Sequence, residues 1–292
     1  MKKNTIIILI LVVNATFADN YSMNTSSIVN EQKSKITSKN LQGGVVTVGD
    51  QSDCDFQLGD SRIQSAINSG AVIIRLADSI YNENLVINNR SVIITGGFAT
   101  CSDAASNHSN GLRQVIDGTL FAPVFTITSH QQRQEVTLEN LHLKQGLAGQ
   151  SIPGGGVNTI EANLTLNLNN VWITDSIGLS GGGLNVMFGD TDVTITDSVI
   201  SHNTADNGGG IRCVGPQASV FINENNMNQS SGIFFNEAIN GDGGGVHLSG
   251  GCIFTSYSGS KNYTTGMHQG IHNNRATGNG GGIAIIDSGW VF

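Results

Sequence analysis

The chain has 292 residues, of which 38 are Gly, 32 are Asn and only 3 are Pro; 12 % are charged, 38 % hydrophobic, and the net charge is −8. So much Gly with so little Pro excludes collagen, and the aliphatic content excludes a wholly disordered chain. The length suffices for a real core, and the acidic balance argues against nucleic acid or anionic lipid as a partner.

Residues 1–18 read as a signal peptide. Lys2 and Lys3 form a basic start, Ile6 to Val13 an apolar run, and Thr16 and Ala18 a small-residue cleavage site after Ala18. The apolar run is shorter than the roughly 20 residues of a membrane span. Loss of Lys2 and Lys3 would carry the net charge from −8 to −10. The expected destination is the cell outer membrane surface or the extracellular space, with no membrane span in the mature chain. Residues 19–42 are polar, Ser- and Asn-rich and aperiodic, and read as a flexible leader. Residues 43–292 carry the folded part.

Within it, Ser61 to Ser69, with Ile63, Ala66 and Ile67 at helical spacing, predicts a short amphipathic helix that covers the open edge of the first turn. Strands are expected at Val72–Leu76, Asn84–Ile87, Val92–Thr95, Val124–Thr128 and Val136–Leu143, with turns at Gly96-Gly97 and Asp117-Gly118. Beyond them a repeat takes over. Gly triplets begin at Gly154, Gly181, Gly208, Gly243 and Gly280, at intervals of 27, 27, 35 and 37 residues. An aliphatic residue follows each: Val157, Leu184, Ile211, Val246 and Ile283.

Ahead of the triplets run Ile200-x-x-Asn203-x-Ala205, Ile233-x-x-Asn236-x-Ala238 and Ile271-x-x-Asn274-x-Ala276, with Trp172-x-x-Asp175-x-Ile177 as a looser copy. Between triplets the apolar residues alternate, as in Leu164-Thr-Leu166-Asn-Leu168, which predicts short strands with one buried face. Such repeats describe stacked turns that bury their apolar rows against one another. The glycines then mark corners where backbones approach closely, and Asn203, Asn236 and Asn274 are placed to form an amide ladder. The longer intervals put loops at Asn223 to Ser231 and Ser256 to Gly270.

Four cysteines, Cys54, Cys101, Cys213 and Cys252, allow three pairings. Cys54 with Cys101 and Cys213 with Cys252 is favoured because each pair would link neighbouring turns. No C-x-x-C spacing supports zinc or thioredoxin-like chemistry.

The tandem Ile-x-x-Asn-x-Ala and Gly-Gly-Gly-aliphatic elements resemble the repeat of chlamydial polymorphic outer membrane proteins and related bacterial surface proteins. Those repeats pair F-x-x-N with G-G-A-[ILV]; here Ile stands for Phe and Gly for Ala. The stretch from Ile63 through Gly97, with Tyr81-Asn82-Glu83-Asn84-Leu85, is similar to the entry turns of pectin-lyase-like proteins. The resemblance implies an all-β fold, a right-handed parallel β-helix with a short N-terminal capping helix. It also implies a membrane barrel after the repeats. Only Ile283 to Phe292 follow the last triplet, so a C-terminal truncation is expected, with self-association through the uncapped end.

The pectin-lyase-like fold also hosts polysaccharide lyases and glycoside hydrolases, which need converging carboxylates or clustered Asp for Ca²⁺. Candidates are Asp175, Asp197, Asp190 and Asp192, but no Asp-Asp, Gly-His-Gly or Arg-x-Lys string accompanies them, and Asp175 matches the turn Asn of later repeats. Gly178-Leu-Ser180-Gly-Gly182 satisfies G-x-S-x-G but precedes a strand rather than the helix a nucleophile elbow requires. Asn240-Gly-Asp242-Gly resembles calcium-binding nonapeptides in composition only. His268 and His272 flank Gly270 and are not set side by side; His202 and His247 are read as solvent-facing.

No catalytic, cofactor-binding or metal residue is assigned, and no cofactor is expected. The expected function is non-catalytic binding by an exported adhesin or autotransporter-passenger-like protein, with a host or cell-surface protein or glycan as ligand and no nucleic acid. A carbohydrate-active enzyme is the alternative.

Overall fold

A computed structural model describes residues 44–57, 61–149, 153–160, 162–224, 231–258, 269–287 and 289–291. It is an all-β protein, and every pairing between its named strands is parallel. Three sheets hold these strands. The seven-stranded sheet runs in chain order through Leu85–Asn88, Phe125–Thr128, Val157–Ile160, Leu184–Met187, Ile211–Val214, Val246–Ser249 and Ile283–Ile286. Its register pairs Val157 with Leu184, Leu184 with Ile211, Ile211 with Val246 and Val246 with Ile283. The residues after the Gly triplets therefore lie directly opposite one another, and the triplet intervals are the register steps of this sheet.

The fourteen-stranded sheet contains Gln134–Lys144 and Leu164–Thr174, two long strands paired over most of their length. In later repeats the equivalent path is divided, as Thr191–Thr196 and Val199–Ser201, so the sheet branches. The branch continues through Ser231–Phe234 and Gln269–His272. The third sheet is formed by Thr204–Ala205, Glu237–Ala238 and Arg275–Ala276.

Alternation places Leu164, Leu166, Leu168, Val171 and Ile173 in one buried core with Val157, Leu184, Val186, Ile211, Val246 and Leu248. Full burial of each such side chain stabilises by about 1.5–3 kcal/mol. Core continuity from repeat to repeat is what one strand alone could not provide.

Two recurring corners connect the strands. At the glycine corner, Gly181, Gly208, Gly243 and Gly280 have φ of 65°, 65°, 70° and 63°, a region costly for residues with Cβ. The two glycines after Gly181, Gly208 and Gly243 sit against the next repeat's backbone: a Cβ on Gly182 would meet Gly209 O at 2.5 Å, and one on Gly210 would meet Gly245 O at 2.6 Å. The triplets also hydrogen-bond to one another, Gly209 N to Gly243 O (3.2 Å) and Gly210 N to Gly244 O (3.0 Å).

At the second corner the asparagines form the expected ladder. Asn203 donates from its backbone N and from Nδ2 to Asn236 Oδ1, both at 3.0 Å, and Asn236 does the same to Asn274 Oδ1 at 2.9 and 3.0 Å. Each amide nitrogen also donates to an Ile carbonyl in the preceding repeat: Asn203 to Ile173, Asn236 to Ile200 and Asn274 to Ile233, all at 2.9 Å. The looser sequence copy is shifted by one residue. Ile173 pairs with Ile200, so Ser176 rather than Asp175 stands opposite Asn203, and Ser176 N donates to Asn203 Oδ1 at 3.0 Å. Trp172 had the larger side chain, but Ile173 is the residue that faces the core.

Helix α1, Arg62–Asn68, buries Ile63, Ala66 and Ile67 as expected and packs against the strands Val45–Val48 and Leu85–Asn88. Its first amides, Ile63 N and Gln64 N, donate to the two carboxylate oxygens of buried Glu83 at 3.0 Å each, satisfying donors that a helix start leaves open. A second helix, α2, Cys101–Ser106, adds to the expected elements; Thr100 caps it by accepting from Asp103 N at 3.0 Å. The favoured disulfides are both present, Cys54–Cys101 joining the first strand's loop to α2 and Cys213–Cys252 tying the seven-stranded sheet to the segment entering Ile253–Ser258.

Candidate functional site

The corner that carries the amide ladder also carries a column of left-handed residues just before it: Gln145, Asp175, His202, Phe235 and Asn273, with φ between 52° and 57°. Asn, Asp and His enter this region readily, because a short polar side chain bonds locally. Phe has no such compensation, and the conformation costs it about 1–2 kcal/mol. Phe235 nevertheless occupies the corner and leaves 40 % of its surface exposed.

Around it four rings gather from three repeats. His202 and Phe235 have centroids 5.3 Å apart, and Phe234 stacks on His272 at 5.0 Å with 8° between planes. Phe234 meets Phe235 edge-on at 5.7 Å, and Phe235 meets His272 at 6.1 Å. Phe234 is buried under this group, while His202 and Phe235 face outward. Each such pair adds about 0.5–1.5 kcal/mol beyond area burial.

The outward row of the adjoining strands continues the theme toward the N-terminal repeats. His142 pairs with Trp172 in register and touches it edge-on at 5.7 Å, with the Arg113 guanidinium 4.3 Å above the indole. His142 Nε2 lies 2.8 Å from Thr174 Oγ1, and burial, followed by the Lys144 charge, holds its pKa below the ordinary imidazole value. In later repeats the same row holds Val199, Gly232 and Gly270, so the sheet beside the four rings bears little or no side chain. Most of the expected loops Asn223 to Ser231 and Ser256 to Gly270, residues 225–230 and 259–268 with His268, lies outside the described residues.

The carboxylates named from sequence are used elsewhere. Arg133 pairs with Asp190 at 2.9 Å and with Asp192, which also accepts from Ser219 Oγ at 2.6 Å. Asp175 and Asp197 are left-handed corner residues in two different columns. Asn240 and Asp242 brace the segment before the glycines, Asn240 Nδ2 donating to Asp206 at 2.6 Å and Asp242 N to Asn207 at 3.0 Å. Ser180 N donates to Pro153 O at 2.9 Å, and strand Leu184–Met187 follows rather than a helix. Among the described residues no group of three or more His, Cys, Asp or Glu could hold a metal ion.

His202 is exposed as expected, but His247 is not: only 8 % of it reaches solvent. Its outward position in strand Val246–Ser249 predicts exposure, yet the glycine corner folds back across that row. A Cβ on Gly243 would lie 2.9 Å from His247 Cα. The ring cluster was not legible in advance either, since Phe234 and Phe235 occupy the unspecified positions of Ile-x-x-Asn. No protein-family model matches the chain, and neither does any curated protein or solved structure.

Proposed function

We propose that this chain is an exported, surface-displayed right-handed parallel β-helix of the adhesin or passenger type. It binds a host or cell-surface ligand, without catalysis, through the corner formed by His202, Phe234, Phe235 and His272. The observation that carries this reading is Phe235, exposed in a conformation that costs it energy where Asn would fit without strain. Residues held in unfavourable backbone regions concentrate at functional positions, and exposed aromatics dominate binding energy at recognition surfaces. Parallel pairing at steps of 27 to 37 residues supports the β-helix reading, and the strong right-handed preference of parallel crossovers supplies its hand. The leader through Ala18 supports export, as does the presence of two disulfides.

Two measurements test it. Expressed with its leader in a bacterial host, the chain is expected at the cell surface or in the medium with an N-terminus at Asp19; retention in the cytoplasm with Met1 to Ala18 still attached would contradict export. Beads coated with the mature chain are expected to adhere to cell monolayers and to lose most adhesion on Phe235→Asn with His202→Ser. Undiminished adhesion by that double variant would move the binding surface elsewhere.

A further inference from the structure

The outer face of the seven-stranded sheet holds a second set of polar groups, independent of the ring cluster. Register places Asn158, Asn185, Arg212 and His247 side by side on four consecutive strands. Adjacent strands lie about 4.8 Å apart, so the row spans roughly 14 Å. These side chains alternate with core residues and point away from the core, yet Asn158 and Asn185 are fully buried and His247 nearly so, with Arg212 partly exposed.

Their hydrogen bonds do not close. Asn185 Nδ2 donates to Asn158 Oδ1 at 2.9 Å, and there the row stops. Asn158 Nδ2, Asn185 Oδ1 and His247 Nδ1 are buried with no partner. Arg212 has no hydrogen bond or ion pair among the described residues. The nearby carboxylate of Asp242 accepts from Asn279 N instead. The contrast lies within the same protein: the buried asparagines at 203 and 236 have their amide groups paired in the ladder. Buried polar atoms are nearly always paired, and the Arg212 guanidinium beside the unpartnered His247 Nδ1 is a set of donors suited to an acceptor.

We propose that Arg212 and His247, neighbours on adjacent strands, bind a single oxyanion group, a sulfate or a carboxylate, on the outer face of the seven-stranded sheet. Arg212 supplies two parallel N–H donors, the geometry that matches an oxyanion edge. His247 donates from its ring nitrogen, and Asn185 Oδ1 accepts from a hydroxyl next to the anion. Burial lowers the proton affinity of Arg212 and of His247, and the Arg212 charge lowers that of His247 further while the Asp242 carboxylate raises it in part.

The test uses the folded mature chain, with the His247 imidazole resonances followed by NMR. Sodium sulfate and sodium acetate are titrated separately, with sodium chloride holding ionic strength constant. The expected result is a saturable His247 shift with one or both anions, sulfate alone marking a tetrahedral site and acetate alone a carboxylate site. Arg212→Gln is expected to weaken it at least about tenfold, and Arg275→Gln, which removes only an exposed partner of Glu237, to leave it unchanged. No saturable shift with either anion, or an equal shift in Arg212→Gln, would overturn the proposal. If Arg212→Gln does not fold, the wild-type titration decides alone.

Discussion

At the glycine corner the backbone of one repeat presses on the backbone of the next, and the sequence is the same in every copy: three glycines and an aliphatic residue. At the corner before the amide ladder the backbone is equally regular, with φ from 52° to 57°, but the residues are Gln145, Asp175, His202, Phe235 and Asn273. The difference lies in what each corner touches. Where a Cβ would strike a carbonyl, one residue fits; where the side chain projects outward, packing imposes no choice and other demands become visible. Variation on an invariant backbone therefore marks where a function can be written.

The largest effect is expected at Gly210→Ala, whose new Cβ would meet Gly245 O at 2.6 Å and Ile233 Cγ2 at 2.9 Å. A loss of about 4 kcal/mol or more in urea unfolding is expected, because the Gly245 carbonyl cannot yield without moving a stacked backbone and the Ile233 methyl is packed in the core. The equivalent Gly282→Ala meets nothing nearer than Ile271 Cγ2 at 3.9 Å and is expected to cost under about 1 kcal/mol. Equal losses for the two would show that stacking does not explain the glycines.

Next comes Asn236→Ala, which removes the acceptor of Asn203 N and the donor to Ile200 O. Two buried backbone groups lose their partners, and about 3 kcal/mol should disappear from the unfolding free energy. A loss below about 1 kcal/mol would mean that water replaces the amide and that the ladder is not structural.

Phe235→Asn should leave stability within about 1 kcal/mol of wild type, since relief of the left-handed strain offsets the lost ring contacts. Adhesion is expected to fall all the same, separating the two corners: one whose variants unfold, one whose variants fold and fail to bind. A large destabilisation would return Phe235 to a structural role.

The smallest effect is a pH dependence at His142. Its folded pKa is lowered, chiefly by burial, so below about pH 6.5 the unfolded chain binds the proton more readily. Stability is therefore expected to hold above that value and to decline as the pH falls from it toward the folded pKa. His247, lowered in the same direction, contributes likewise, so the His142 share is the difference between wild type and His142→Gln in unfolding midpoints at about pH 7.5 and 5.5. Parallel curves for the two proteins would remove His142 from the account.

The register steps, the disulfide pairs and the asparagine ladder were all legible in the sequence, because each repeats a residue type that one geometry demands. What escaped was non-repeating. Strand Val45–Val48 has no earlier copy to align with, and α2 announces itself only by Thr100 capping three residues ahead of Asp103. Ser176 hid one place from where the copied motif put it, since hydroxyl and amide serve the same position. His247 follows the outward half of a strand pattern, which knows nothing of a corner folding over it. The ring cluster assembles residues some 70 positions apart in sequence, and only the register brings them together.

The asparagine ladder has a direction. Asn274 Oδ1 receives both donors of Asn236, and Asn236 Oδ1 both donors of Asn203, whereas only main-chain bonds run the other way, Glu237 N to Asn203 O and Arg275 N to Asn236 O, both at 2.9 Å. Through its side chains, each repeat of the column is thus finished by its successor. Damage at one asparagine leaves two donors open upstream and takes no acceptor from the repeat downstream, so fraying should travel toward the N-terminus. The column behaves as a one-way fastener, closed from the side that is synthesised last.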